Sequence, residues 1–187
     1  MTGAFVVGML GIVSLGGIWI ACVELFGGGG NPTVPDLSAY PPLTVAAFLI
    51  TGSLVAPITE EAAFRGYAQT HLESAFPAVA AVALSSVLFA LYHGPTQGFI
   101  AWKLLFFFLV GALFGSIAYR TRSTIPALPV HFAGDLIFFT LVWPNDAARP
   151  FVPRDGLDAS LALAGAQAVI FGSATIIALR MIRSRTD

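Results

Sequence analysis

The sequence predicts an all-α, polytopic transmembrane helix bundle of about six membrane helices, formed by a single domain over residues 1–187. The composition is 57% hydrophobic and 10% charged, so most of the chain cannot form a polar surface in contact with water. Several apolar stretches also approach the roughly 20 residues that a helix needs to cross a bilayer. Because a spanning segment must satisfy its own backbone hydrogen bonds, we expect these stretches to be helices packed together in lipid.

A glycine- and proline-rich segment separates the first two predicted helices. Residues 3–26 lack the charged start and the cleavage site of a secretory signal and are long enough to span, so we expect a retained helix. Four glycines and four prolines between residues 27 and 42 predict a loop. The second helix is expected over residues 43–74, with one wet or partner-facing side from Glu60 onward.

The third helix is expected to pack against the second as an antiparallel hairpin. Pro77 predicts the turn between them, and the next apolar stretch, residues 78–93, ends at Gly94 and Pro95. We expect residues 94–98 to be a break at mid-depth that lines a cavity, because irregular backbone is tolerated in a membrane only away from lipid.

Three more helices complete the predicted bundle. The fourth covers residues 99–119 and ends before two arginines. The fifth begins at Thr124, a residue type that can cap a helix, and runs to residue 143. A polar loop over residues 144–158 leads to the sixth helix at residues 159–181.

Charge predicts the orientation and excludes one class of partner. Nine Lys and Arg residues against ten Asp and Glu residues give a net charge of -1, so nothing in the charge favours nucleic acid as a partner. Six crossings put both termini on one side of the membrane. That side carries six basic residues and the other side three: Arg65, Arg120, Arg122, Arg180, Arg183 and Arg185 against Lys103, Arg149 and Arg154. The positive-inside rule therefore predicts cytoplasmic termini in a cell-membrane protein.

Three residue pairs inside the predicted helices have members four positions apart, which places both members on one helix face. The pairs are Glu61 with Arg65, Phe89 with His93, and His131 with Asp135. An ionisable group in a membrane helix costs at least about 2.5 kcal/mol and is by default a functional site or a structural ion pair. We expect Glu61 to pair with Arg65. Glu60 lies about 100° further around the helix, without a local partner, and is suited to accept a proton from water.

Helix geometry predicts which groups meet. Glu60 lies seventeen residues before Pro77 and His93 sixteen residues after it. At about 1.5 Å per residue both stand roughly 25 Å from the turn, so a hairpin puts them at one height. His131 is seven residues into the fifth helix, roughly 10 Å from its end, which brings it near the same layer.

These residues resemble the motifs of the CPBP family, whose members are integral membrane proteases. The family comprises the CAAX prenyl endopeptidases and the bacteriocin-processing enzymes, also called Abi proteins. The resemblance covers residues 59–135, inside a motif-bearing core of residues 43–143. The motifs are EExxxR at Glu60, Glu61 and Arg65, FxxxH at Phe89 and His93, and the Asp variant of HxxxN at His131 and Asp135.

The resemblance implies water-mediated hydrolysis of a membrane-bound peptide or protein substrate, in a cavity open to the cytoplasm. Glu60 would be the base that activates the water, and His93 would hold or polarise that water. Arg65 would orient Glu61. Prenylated CAAX peptides and bacteriocin leaders both fit such a cavity.

The last motif departs from the pattern of many family members, which have Asn where this chain has Asp135. The resemblance implies that His131 and residue 135 stabilise the oxyanion. An Asn side chain can donate a hydrogen bond to an oxyanion, whereas Asp135 can do so only when protonated. Asp135 is alternatively expected to orient His131.

Two alternatives stay open from the sequence. The first is zinc, which imidazole and carboxylate groups suit; its ligands would be Glu60, Glu61, His93, His131 and Asp135. The spacing contains no HExxH and Arg65 competes for one carboxylate, which favours a metal-free mechanism with no cofactor. The second alternative is a non-catalytic membrane protein on the same scaffold, either an immunity or partner-binding protein or a proton-coupled carrier.

Overall fold

The computed structural model describes residues 2–27, 37–142 and 159–182, and this part of the chain is helical throughout apart from short connections. Its six helices are α1 (Thr2–Phe26), α2 (Pro42–Glu73), α3 (Ala78–Gln97), α4 (Ala101–Thr121), α5 (Ala127–Ile137) and α6 (Ala159–Met181). A 3₁₀ turn at Leu37–Ala39 precedes α2, and a π-helical turn at Phe138–Val142 extends α5. All but α5 are long and apolar enough to cross a membrane. The protein is therefore a polytopic transmembrane helix bundle, as predicted.

The first and last helices are antiparallel, so both described ends of the chain lie at one face of the bundle. Ser14 Oγ in α1 donates a hydrogen bond to Ala168 O in α6 over 2.8 Å. Further along α1, Glu24 accepts a hydrogen bond from Ser160, at the opposite end of α6. The side assigned to the cytoplasm stays a prediction.

The face that carries both chain ends also carries the α2–α3 turn. Arg120 at the end of α4 donates a hydrogen bond to Ile182 O over 3.1 Å. Arg122, just beyond α4, lies 3.4 Å from the carboxylate of Glu73 at the end of α2. We call this surface the hairpin face and define it by residues 74–77 and 121–126. Trp143, the loop over residues 144–158 and Arg183 and Arg185 in the predicted tail lie outside the described residues.

The predicted end of the third helix is wrong, because α3 continues through Gly94 and Pro95 to Gln97. A proline removes one backbone donor, and membrane helices tolerate such a loss when neighbouring groups satisfy the freed carbonyl. Gly98, with φ 87°, ends the helix, and its N–H bonds to Gly94 O over 2.8 Å. Gly94 instead makes room for the ring of Phe99, which a Cβ at that position would strike. The expected break over residues 94–98 is therefore absent.

The predicted start of the fifth helix is also wrong. Thr124 begins a turn in which Ala127 N–H donates to Thr124 O over 3.1 Å, and α5 starts only at Ala127. Pro126 precedes that start, and no side chain caps it. Arg65, counted among the cytoplasmic charges, is 3% exposed and lies inside the bundle, so it carries no weight in the positive-inside comparison.

A nine-residue π-helical stretch, Glu61–Gln69, lies inside α2 and was not predicted. Such stretches are rare, are usually only one turn long and occur frequently at functional sites. Glu61, Arg65 and Gln69 are its buried residues, so they form one buried stripe along the helix. Thr70 Oγ1 donates to Arg65 O over 3.2 Å at the end of the stretch. The expected partner-facing side of α2 is this stripe.

Two glycines four positions apart let α4 approach its neighbours closely, as small residues do in membrane bundles. A Cβ at Gly111 would lie 2.9 Å from Ser86 Cα in α3, and one at Gly115 would lie 2.7 Å from Gln69 Oε1 in α2. Real Cβ atoms do not approach backbone that closely, so Gly111 requires glycine, whereas at Gly115 the Gln69 side chain would have to move. The packing of α4 against α2 and α3 depends on them.

We expect Gly111→Ala to lower the free energy of unfolding by about 1–3 kcal/mol, because the added methyl group has to displace the backbone of Ser86. Gly165→Ala in α6 is the matched control, since nothing lies within 4 Å of its added Cβ. That control should be neutral or stabilising by up to about 1 kcal/mol. Denaturant titration in detergent micelles measures both. Equal stability of the two variants would contradict the packing argument.

Candidate active site

Glu61 and Arg65 form a buried ion pair on the π-helical stretch, as the spacing predicts. Arg65 Nη1 donates to Glu61 Oε1 over 3.0 Å, and each side chain is about 1% exposed. Arg65 Nη2 donates to Gly111 O in α4 over 3.3 Å, and the guanidinium lies 4.3 Å from the centre of the Phe89 ring in α3. The pair therefore fixes α2 against two neighbouring helices.

Glu61 also holds His131 of α5, a contact that the sequence did not indicate. His131 Nδ1 lies 3.0 Å from Glu61 Oε1. Because that oxygen already accepts from Arg65, the carboxylate is the acceptor and Nδ1 carries the donated hydrogen. The imidazole ring stacks on Phe114 with centroids 4.7 Å apart. These contacts direct His131 Nε2 away from Glu61.

The Nε2 atom of His131 faces two other carboxylates. It lies 3.6 Å from Glu60 Oε2 and 3.6 Å from Asp135 Oδ1. Asp135 therefore approaches His131 on the nitrogen that faces Glu60, while the shorter contact, to Nδ1, comes from Glu61. In this geometry Glu61 holds the imidazole orientation more closely than Asp135 does.

Glu60 and His93 meet across the α2–α3 hairpin, and this confirms the predicted proximity. Glu60 Oε1 lies 3.9 Å from His93 Nε2, too far for a direct hydrogen bond. His93 Nδ1 donates to Phe89 O over 2.9 Å, and the ring stacks on Phe107 with centroids 4.0 Å apart. Since a carbonyl oxygen can only accept, Nδ1 carries the hydrogen and the neutral ring presents an acceptor at Nε2.

These groups line one wall of a cavity of about 160 Å³ between α1, α2, α3, α4 and α5. The ionisable groups of this polar wall are Glu60, His93, His131 and Asp135, and Gln97 lines the same cavity. Aromatic and aliphatic side chains form most of the remaining lining, among them Trp19, Phe106, Val110 and Phe138. Chemically, the cavity can hold an apolar group beside two carboxylates and two imidazoles.

Zinc stays an open alternative to a metal-free mechanism. Within the described ranges, no group of three or more His, Cys, Asp or Glu side chains is arranged to hold a metal ion. Glu61 Oε1 accepts from both Arg65 and His131, whereas Glu61 Oε2 has no hydrogen-bond partner among the described residues. A metal-free mechanism stays a prediction.

Sequence reasoning missed three contributors to the site. The aromatic wall from α1, including Trp19, could not be assigned because that helix carries no polar motif. The contact from Glu61 to His131 joins residues 70 positions apart and depends on how α5 docks. The close approach of α4 had a sequence signal, the pattern Gly111-x-x-x-Gly115 in an apolar helix.

We expect Arg65→Ala to lower the free energy of unfolding by about 3–5 kcal/mol, because it leaves the Glu61 carboxylate buried without its cation. Arg122→Ala is the matched control, since its ion pair with Glu73 is exposed and should contribute less than about 1 kcal/mol. Denaturant titration in micelles compares the two. A loss at Arg65 no larger than that at Arg122 would show that the buried pair is not structural.

The family comparison agrees with this geometry. A family model described as "Type II CAAX prenyl endopeptidase Rce1-like" matches residues 42–137, just over half of the chain. No curated protein and no solved structure matches the chain. The matched range runs from the start of α2 to the end of α5 and contains every residue of the polar wall. The three motifs, their convergence on one cavity in a membrane bundle and this match lead to one conclusion: the chain belongs to the Rce1-like family of type II CAAX prenyl endopeptidases.

Proposed function

We propose that the protein is an intramembrane endopeptidase that hydrolyses a membrane-associated peptide or protein with water activated by Glu60. One observation carries the proposal. The Glu60 carboxylate faces the Nε2 atoms of His93 and His131, at 3.9 Å and 3.6 Å, on the polar wall of an otherwise apolar cavity. Membership of a family of CAAX-type membrane proteases supports the reaction class.

In the proposed first step, a water molecule lies between Glu60 and His93. The water donates one hydrogen to the Glu60 carboxylate and the other to His93 Nε2, which is the free acceptor of that ring. Glu60 takes the first proton as the water oxygen attacks the carbonyl carbon of the substrate. A C–O bond forms, the C–N bond then breaks, and Glu60 returns the proton to the leaving amine.

His131 and Asp135 are proposed to stabilise the negative charge that develops on the carbonyl oxygen. His131 Nδ1 is committed to Glu61, so Nε2 is the atom available for the oxyanion. A hydrogen carried by Nε2, or by the Asp135 carboxyl group when it is protonated, would provide the donor. This arrangement gives Asp135 a function that an Asn at the same position could also serve.

The apolar part of the cavity is proposed to hold an apolar portion of the substrate. Its aromatic walls, with Trp19, Phe106 and Phe138, favour a hydrocarbon or aromatic group over a charged one. Prenylated CAAX peptides present such a group next to the scissile bonds and are the first substrates to test.

We expect Glu60→Gln to reduce kcat by about 10²–10⁴-fold, because glutamine keeps the shape of glutamate but cannot accept the proton. Cleavage of a prenylated CAAX peptide by the protein in liposomes measures the effect. Glu24→Gln is the matched control, since Glu24 bonds Ser160 at the far end of the bundle from the hairpin face, and it should retain the wild-type rate. Cleavage at the wild-type rate by a correctly folded Glu60→Gln variant would contradict the assignment of Glu60 as the base.

A metal-free mechanism makes a separate prediction. Protein dialysed against EDTA or 1,10-phenanthroline should retain its peptidase rate, because the proposed base and donors are side chains and need no Lewis acid. Elemental analysis of the same sample provides the metal content. Stoichiometric zinc whose removal abolishes cleavage, and whose return restores it, would overturn the metal-free mechanism while leaving the protease assignment in place.

A further inference from the structure

A second cavity, of about 420 Å³, lies at the hairpin face and shares only Arg65 with the three motifs. Its wall is largely polar and includes Gln69, Thr70, Glu73, Ser123 and Thr124. Arg122 also lines it, and the side chain of that residue is 48% exposed, so the cavity opens towards the surface of the bundle. A polar cavity of this size at a surface is suited to hold several water molecules.

Gln69 provides independent evidence that this cavity is hydrated. The residue is 1% exposed, and its Nε2 atom donates to Glu73 Oε1 over 2.8 Å and to Gly115 O over 3.0 Å. Its Oε1 atom is buried and has no hydrogen-bond partner among the described residues. A buried amide oxygen without a hydrogen-bond donor destabilises the fold by about 1–3 kcal/mol. A bound water molecule is the usual donor to such an oxygen.

Arg65 lies between the two cavities. It lines the second cavity, while its guanidinium is 4.3 Å from the centre of the Phe89 ring and 5.5 Å from that of Phe114. Both of these rings line the first cavity. On the same layer, Glu61 bonds Arg65 on one side and His131 on the other. One layer of side chains therefore separates the polar cavity from the groups around Glu60.

We propose that the second cavity is a hydrated vestibule, through which water from the hairpin face reaches Glu60 past the Arg65–Glu61 pair. The proposal rests on the proposed function, because each peptide bond that is hydrolysed consumes one water molecule. The first cavity is largely apolar and holds the substrate, so it is poorly suited to supply that water. The vestibule reaches the Arg65–Glu61 layer from its polar side. The apolar wall of the first cavity then stays free for the substrate.

Cysteine labelling in liposomes tests the hydration without any need for peptidase activity. Cys22 is the only cysteine and is replaced first by Ser. Gly66→Cys then places a thiol on the wall of the vestibule, at an exposed position where the nearest atom to the added Cβ is Glu61 O at 3.6 Å, an ordinary contact. Val87→Cys is the control, because Val87 is 43% exposed on the apolar outer surface of α3, next to Ser86, which packs against Gly111.

A charged thiosulfonate reagent should label Gly66→Cys at least about tenfold faster than Val87→Cys, because the reacting thiolate forms in water and not in lipid. Equal, slow labelling of the two positions would show that the cavity is not hydrated and would overturn the vestibule.

The water-supply role is tested by filling the same position. Gly66→Leu should lower kcat by about tenfold with KM unchanged, since the substrate occupies the other cavity. Gly66→Ser, which adds a small polar side chain at the same Cβ, should keep kcat. A wild-type kcat for folded Gly66→Leu would refute water supply through the vestibule. Lack of peptidase activity in the wild-type protein would contradict the proposed function instead, and the labelling rates would still test the vestibule.

Discussion

The Arg65–Glu61 ion pair is the interaction on which the rest of the site depends. Removing two charges from water costs several kcal/mol for each ion, and the attraction between them compensates only when the remaining donors and acceptors are satisfied. Here neighbouring helices supply several of these partners, while Glu61 Oε2 is buried without a hydrogen-bond partner among the described residues. Arg65 bonds Gly111 O of α4 and packs on Phe89 of α3, while Glu61 accepts from His131 of α5. The Arg65–Glu61 pair, whose burial would be unfavourable in isolation, thus joins four helices and orients the imidazole of His131.

The register of α2 against α4 follows from two matched spacings. Arg65 and Gln69 are four positions apart on the π-helical stretch, and the carbonyl groups that they bond, those of Gly111 and Gly115, are four apart on α4. The glycines matter twice, because they permit the close approach and leave their carbonyl oxygens accessible to a second donor. A shift of one residue would break both bonds together. This explains how a continuous helix can present a polar stripe at a fixed position inside a membrane bundle.

The sequence predicted those parts of the site that depend on local geometry. The Glu61–Arg65 pair follows from helix periodicity, and the meeting of Glu60 with His93 follows from equal distances to the turn at Pro77. It could not predict the contact from Glu61 to His131, which depends on the docking of α5 across 70 residues of chain. The helix-breaking rule failed at Pro95, two residues before α3 ends at Gln97, because a membrane helix can lose one backbone hydrogen bond and continue.

Two adjacent acids can serve different functions because their contacts differ in length. Glu61 is held at 3.0 Å by both Arg65 and His131, so a proton placed on that oxygen would disrupt two short hydrogen bonds. Glu60 meets His93 and His131 only at 3.9 Å and 3.6 Å, beyond direct hydrogen bonding, and lies on the cavity wall. In the proposed mechanism Glu61 would hold the helices and His131 in place, and the more loosely surrounded Glu60 would accept the proton and return it. The difference between these contacts therefore supports the proposal that Glu60, and not Glu61, is the base.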